Sequence, residues 1–205
     1  MLSQWIRYYP RRWRWNLYVR YWVIQHQLRT WYIDLLNSST TPLLSEWSPG
    51  TITSETLSDL QPLADSSLDF PSFEVARIHL FYWAALLSIY ENLTSMPSPL
   101  APLHRCPQVH LQSEIRTTAT LIARSIPYLL SPETQTMGPQ NVCFPLRNAI
   151  HASSELGEYR EGRWCRDVFE ELDKRGFQFG NILANVKWEE IPRFLYIIKD
   201  RANKE

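Results

Sequence analysis

A chain of 205 residues with 21 basic and 21 acidic side chains carries no net formal charge. That excludes a whole-molecule field drawing it to nucleic acid or to a membrane surface. The length is enough to bury one substantial core, and nine Trp and ten Tyr imply thick helix–helix contacts or a lined cavity. Cys106, Cys143 and Cys165 are odd in number and far apart, which fits a reducing compartment better than a disulfide framework.

The first strong helix is predicted over residues 11–36. Leu17, Tyr21, Ile24, Leu28, Trp31 and Leu35 step by four and three, and Tyr18, Trp22, Tyr32 and Leu36 widen the stripe. A stripe this wide faces a core, which leaves Arg11, Arg14, Arg20 and Arg29 outside it. Residues 1–33 hold six Arg and no acid, whereas 34–74 hold seven acids and no Lys or Arg. The two segments can attract each other. The stretch RYYPRRWRWNLYVR also has a nucleic-acid-binding composition, but Arg stems covering aromatic faces of an amphipathic helix is the favoured reading. The Arg-rich start has an apolar pattern too regular for a discarded mitochondrial leader, and no secretory leader is visible. The sequons at Asn37 and Asn92 are therefore read as unused.

Residues 37–72 are rich in Ser, Thr, Pro and acids and lack periodicity, so a long irregular loop is expected. Pro71 and Ser72 open a second helix running to about Thr94, with Ser72 as N-cap and Glu74 in the first turn. Phe73, Ala76, Leu80, Trp83, Leu87 and Tyr90 form its seam, with Phe81, Ala84, Ala85 and Ile89 on other faces. This predicts a central, buried helix. Its most apolar part, 78–90, is shorter than the roughly 20 residues a bilayer span needs.

A Pro-rich linker is expected over residues 96–108. A third helix then runs from about Val109 to Leu130, with Leu111, Ile115, Thr118, Ile122 and Ile126 on one side and Pro127 bending or ending it. SPETQTMGPQ reads as a hinge. A fourth helix continues to about Glu155, with Pro145 near its first turn or at a kink. ELGEYREG, with Gly157 and Gly162, reads as a tight connection. A fifth helix, Glu161 to Arg175, turns Trp164, Cys165, Val168 and Leu172 inward. It pairs Glu170 with Lys174 and Glu171 with Arg175, and Gly176 caps it. A last short helix is expected over 189–202, with Ile191, Leu195 and Ile198 apolar. No hairpin signal appears, so strands should be few or absent.

The fold class expected is all-α: an irregular bundle of about five to seven helices in one domain, 1–205. No nucleophile elbow, phosphate-binding loop, dinucleotide fingerprint or zinc-protease motif is present. No catalytic, cofactor-binding or metal-binding residue is assigned, and no cofactor. His104, Cys106 and His110 make the nearest metal-like grouping; a fourth ligand would have to come from far away, such as Cys143 or His151. They are read as ordinary residues. His79, beside Phe81, Tyr82 and Trp83, reads as a hydrogen-bonded core histidine. Glu91 reads as a structural partner of an Arg, since no second carboxylate stands at a nearby helical spacing. Trp22, Trp31, Trp83 and Trp164 are candidates to line a cavity.

Four segments stand in a familiar order: FEVARIHLFYWAALLSIYENL, IARSIPYLLSPE, GPQNVCFPLRNAIHASSE and REGRWCRDVFEELDKRGF. Together they resemble the distal part of the fungal-specific regulatory region of zinc binuclear cluster transcription factors. The resemblance spans about residues 15–190 and is most specific over 73–180. It implies an α-helical regulatory bundle that contacts co-regulators and takes a small effector, in factors that often control nutrient-use or secondary-metabolite genes. It implies no catalytic residue. The departure is at the DNA-reading end: that family needs six closely spaced Cys, and this chain has three, none in C-x-x-C spacing. Direct sequence-specific DNA binding is therefore not expected.

The reading that follows is a transcription-regulator-like, non-enzymatic helical protein without its own DNA-binding domain. It would be nuclear or cytoplasmic and act through a co-regulator or a full-length transcription factor. The alternatives are a small-molecule-binding or accessory helical protein, and a truncated, non-functional fragment of such a factor.

Overall fold

The computed structural model describes residues 11–39, 42–47, 67–95, 106–157, 159–174 and 176–177. The expected helix at 189–202, His104 and most of the Pro-rich linker lie outside them. Among the described residues there are five α-helices and one two-stranded ribbon. These are α1 (Arg11–Ser38), β1 (Ser45–Trp47), β2 (Ser67–Asp69), α2 (Phe73–Ser95), α3 (Cys106–Leu129), α4 (Met137–Glu155) and α5 (Tyr159–Lys174), with a 3-10 turn at Pro132–Thr134 between α3 and α4. The all-α class read from the sequence is the class observed.

The body is a three-helix cluster, α2, α3 and α4, each packed on the other two. α5 packs on α4, α1 on α2, and β2 on α3. The predicted seams explain the cluster. Ala76, Leu80, Trp83, Leu87 and Tyr90 of α2 are buried, as are Leu111, Ile115, Thr118, Ile122 and Ile126 of α3. Each fully buried Leu or Ile contributes roughly 1.5–3 kcal/mol relative to an exposed one. α5 adds Trp164, Cys165, Val168, Phe169 and Leu172, all buried.

The ends follow local chemistry. Ser72 accepts the Val75 amide on its Oγ at 3.3 Å, the N-cap geometry expected at the start of α2. α3 runs only two residues past Pro127. At the end of α5, Gly176 takes φ +89. The Gly176 amide bonds the Asp173 carbonyl at 2.9 Å and the Phe177 amide bonds that of Leu172 at 3.0 Å. This is a Schellman cap, with Phe177 packed on the core behind it.

Several expectations are corrected. The polar stretch 37–72 is not wholly irregular: β1 and β2 pair antiparallel within it, with Glu46 opposite Leu68. Leu68 and Phe70 are buried there, and Arg124 of α3 pairs with Glu46 at 3.1 Å, so the ribbon is fastened to α3. The linker is shorter than 96–108, because α3 starts at Cys106. The hinge is shorter than SPETQTMGPQ, because α4 starts at Met137, and Pro145 sits well inside that helix. Gly162 lies inside α5, where its missing side chain brings α5 close to Ser153 of α4. Lys174 reaches Glu171, at 3.5 Å, one turn away on the other diagonal from Glu170.

Gly138, in the first turn of α4, marks the tightest junction. A side chain there would meet the Leu129 carbonyl oxygen at 1.7 Å and Thr134 Oγ1 at 2.4 Å. Thr134 Oγ1 in turn donates to the carbonyls of Leu129 at 2.7 Å and Ser131 at 2.9 Å. The end of α3 and the start of α4 thus touch backbone to backbone.

Candidate functional site

Three features of the structure bear on function: a buried histidine under α1, two interhelical ion pairs, and the outer face of α1.

His79 projects from α2 into the contact with α1 and is fully buried. The Tyr32 hydroxyl of α1 hydrogen-bonds its Nδ1. Tyr32 stacks on Tyr82 with ring centroids 3.7 Å apart. Phe70 and Trp83 close around the imidazole at 5.5 and 5.4 Å. Burial pulls the His79 pKa down to about 4, against a smaller upward pull from the Leu43 backbone. Burial likewise raises that of Tyr32 and pushes that of Tyr82 up to about 12. The ring is neutral at neutral pH, so one of its nitrogens is an acceptor, and Nδ1 is the nitrogen beside the Tyr32 hydroxyl. Its ring contacts among the described residues are aromatic: Tyr32, Phe70 and Trp83. The core-histidine reading from sequence fits this geometry.

The first ion pair joins Arg29 of α1 to Glu114 of α3, with Arg29 also donating to the Tyr90 hydroxyl at 2.9 Å. Arg29 was expected outside the helix seam; it sits instead at the α1–α2–α3 junction. The second is Glu91 of α2 with His151 of α4 at 3.2 Å, an ion pair only when His151 is protonated. Glu91 therefore takes a histidine, with Arg147 as a charged neighbour. The Arg147 guanidinium is buried, which lowers its pKa, and Glu91 offsets part of that. Beside them Asn148 donates to the Ala84 carbonyl at 3.2 Å and the Ser88 hydroxyl at 3.0 Å. These groups tie helices together.

The other sequence candidates are dispersed. Trp31 faces solvent beside Tyr82, Trp83 packs on Phe70 in the core, and Trp164 is buried on α5. His110 is 3.8 Å from Glu114 and otherwise exposed. Among the described residues no three His, Cys, Asp or Glu side chains gather as metal ligands. Cys143 and Cys165 are not joined in a disulfide, and burial raises the pKa of Cys143. No described helix is long and apolar enough to cross a membrane.

The outer face of α1 is the feature that sequence periodicity misassigned. Among the residues of this helix whose side chains are described, only Gln25 is buried; Tyr18, Tyr21, Trp22, Leu28 and Tyr32 are partly buried against the body. Ile24, Trp31 and Leu36, placed in the predicted core stripe, are exposed, as are Trp15, Val19, Val23 and Ile33. Four other exposed large apolar residues, Ile78, Phe81, Met137 and Phe144, are spread over α2 and α4. Among the described residues, exposed apolar surface is thus concentrated on α1. The signal was present in the sequence, since α1 is apolar on more than one side. A helix that can be apolar nearly all round needs two partners, and the body supplies one.

Comparison with known proteins yields no relative: no family model, no curated protein and no solved structure matches the chain.

Proposed function

We propose that this protein is a non-enzymatic, regulator-like helical module that acts by binding other proteins in fungal gene regulation. Its partner is a co-regulator or a full-length transcription factor that supplies the DNA contact. The reading rests on the order of the four sequence segments described above. The one structural observation that supports it is the concentration of exposed apolar side chains on α1. A surface of that kind suits docking of another protein.

The test is affinity capture of the tagged full chain from nuclear extract, followed by identification of what co-purifies, alongside a variant carrying Val19→Asp and Val23→Asp. The expected result is a transcription factor or chromatin-bound co-regulator that the wild type retains and the variant loses. Capture of neither class by the wild type would overturn the proposal.

A further inference from the structure

We infer that His79 is an acid-sensitive latch: when its imidazole takes up a proton, α1 comes away from α2 while α2, α3 and α4 stay packed on one another. The inference does not depend on the partner proposed above.

The imidazole stands at the contact between α1 and the body, fully buried. On the α1 side it meets Tyr32, whose hydroxyl bonds Nδ1 and whose ring lies edge-on with centroids 5.3 Å apart. On its other sides it meets Trp83 of α2 and Phe70, which follows β2. A neutral ring suits this place, since one nitrogen accepts and aromatic walls call for no counter-charge. An imidazolium does not. Both its nitrogens are donors, and its charge lies buried among neutral groups, which is costly unless a counter-charge pairs with it.

The titratable groups on the elements around His79 are engaged elsewhere or face solvent. On α1, Arg29 is held by Glu114 of α3 and by Tyr90. On α2, Tyr82 stacks on Tyr32, while Glu74 and Arg77 are exposed. In the ribbon, Asp69 accepts the Phe70 amide at 2.9 Å and Glu46 pairs with Arg124. On α3, Tyr128 lies against Phe70 at 5.2 Å. Burial raises the pKa of Tyr32, Tyr82 and Tyr128, so all three stay neutral in acid.

Letting water reach the ring relieves the cost, and α1 is the wall that yields most easily. Phe70 and Trp83 belong to the hydrophobic core, and the ribbon is fastened to α3 through Arg124. Tyr32 is only partly buried. In the closed form burial holds the imidazole pKa at about 4, with the Leu43 backbone pulling more weakly upward, against 6.5 for a solvated ring. The closed form is therefore favoured in full above pH 6.5 and loses ground as pH falls toward 4.

The experiment is hydrogen–deuterium exchange of the full chain between pH 8 and pH 5, read by mass spectrometry and corrected for intrinsic exchange rates, with circular dichroism to confirm that each variant folds. The expected result is an opening constant for the α1 amides that rises on the order of 30-fold over that range, while the amides of α2 and α3 stay slower to exchange than those of α1. His79→Gln should abolish the rise. Glu114→Gln removes the partner of Arg29, so it should ease opening at every pH and keep the rise.

An α1 opening constant indifferent to pH overturns the inference, as does a rise that survives His79→Gln or vanishes in Glu114→Gln. Exchange of α1, α2 and α3 together at pH 5 also overturns it, because the protonated chain then loses its fold as a whole. If His79→Gln does not fold, the wild-type profile and Glu114→Gln decide.

Discussion

Replacing Gly138 by Ala adds a single methyl group where the structure has no room for one. The new Cβ would lie 1.7 Å from the Leu129 carbonyl oxygen, 2.4 Å from Thr134 Oγ1 and 2.9 Å from the Leu129 carbonyl carbon. Carbon atoms settle at about 3.5–4.0 Å from one another, so the first turn of α4 must withdraw on the order of 1 Å or more. The obstacle is backbone, which cannot swing aside as a side-chain end can. Overpacking of this kind costs about 1–3 kcal/mol. Withdrawal also disturbs the Thr134 hydroxyl bond to Leu129, worth about 1 kcal/mol. Against this stands the better helix propensity of Ala, up to about 1 kcal/mol.

The net loss expected is about 1–4 kcal/mol, and for a chain of this size a melting temperature lower by roughly 2–16 °C. Thermal unfolding followed by far-ultraviolet circular dichroism measures it. Gly157→Ala is the control: Gly157 has φ +72 but nothing within 4 Å of the added atom. It should cost only the left-handed backbone penalty, about 1 kcal/mol. If Gly138→Ala melts with the wild type, or above Gly157→Ala, the close approach of α3 and α4 is not what Gly138 serves.

Three further outcomes follow from particular contacts. The folded-state pKa of His79 is lowered to about 4 from the ordinary 6.5, so below 6.5 the unfolded chain binds the extra proton first and stability falls as pH drops toward 4. His79→Gln should flatten that part of the stability–pH curve, by at most about 3 kcal/mol, and an unchanged slope in urea titrations would refute it. Tyr32→Phe removes the donor to His79 Nδ1 in a buried site and should cost about 1–3 kcal/mol in urea denaturation, whereas a neutral result would mean the bond contributes nothing. Ser72→Ala removes the N-cap of α2 and should cost about 1 kcal/mol, with Ser72→Asp restoring most of it in the same assay.

Helices were readable because their burial is periodic and local. The seams of α2, α3 and α5 can be counted off the sequence, and Ser72 and Gly176 mark ends by chemistry that acts within four residues. What was not readable depends on partners far along the chain. Arg29 looks like a surface residue until Glu114 and Tyr90 arrive beside it. Glu91 could be assigned a positive partner but not which one, since His151 is brought near by the α2–α4 packing. The β1–β2 ribbon has three residues on each side, too few for alternation to stand out from a Ser-rich stretch. On α1 the sequence gives several apolar lines and no rule for choosing among them; packing on α2 chose the line through Tyr18, Gln25 and Tyr32. The candidate site was legible to the same extent: His79 as a core residue could be seen, and the exposed strip on α1 could not.

The attachment of α1 has a consequence for how the molecule opens. This helix is held along one side, by the Tyr32–His79–Tyr82 contact and the Arg29–Glu114–Tyr90 cluster, while α2, α3 and α4 each pack on the other two. Structures of this kind come apart in cooperative units of unequal stability. α1 is the weaker unit, so its amides should exchange with deuterium before those of α2 and α3. The opened form leaves the α2–α5 body closed and uncovers Tyr82, Tyr90 and the buried imidazole. A ligand that bound the surface α1 covers would favour that opened form, and one that bound α1 in place would oppose it.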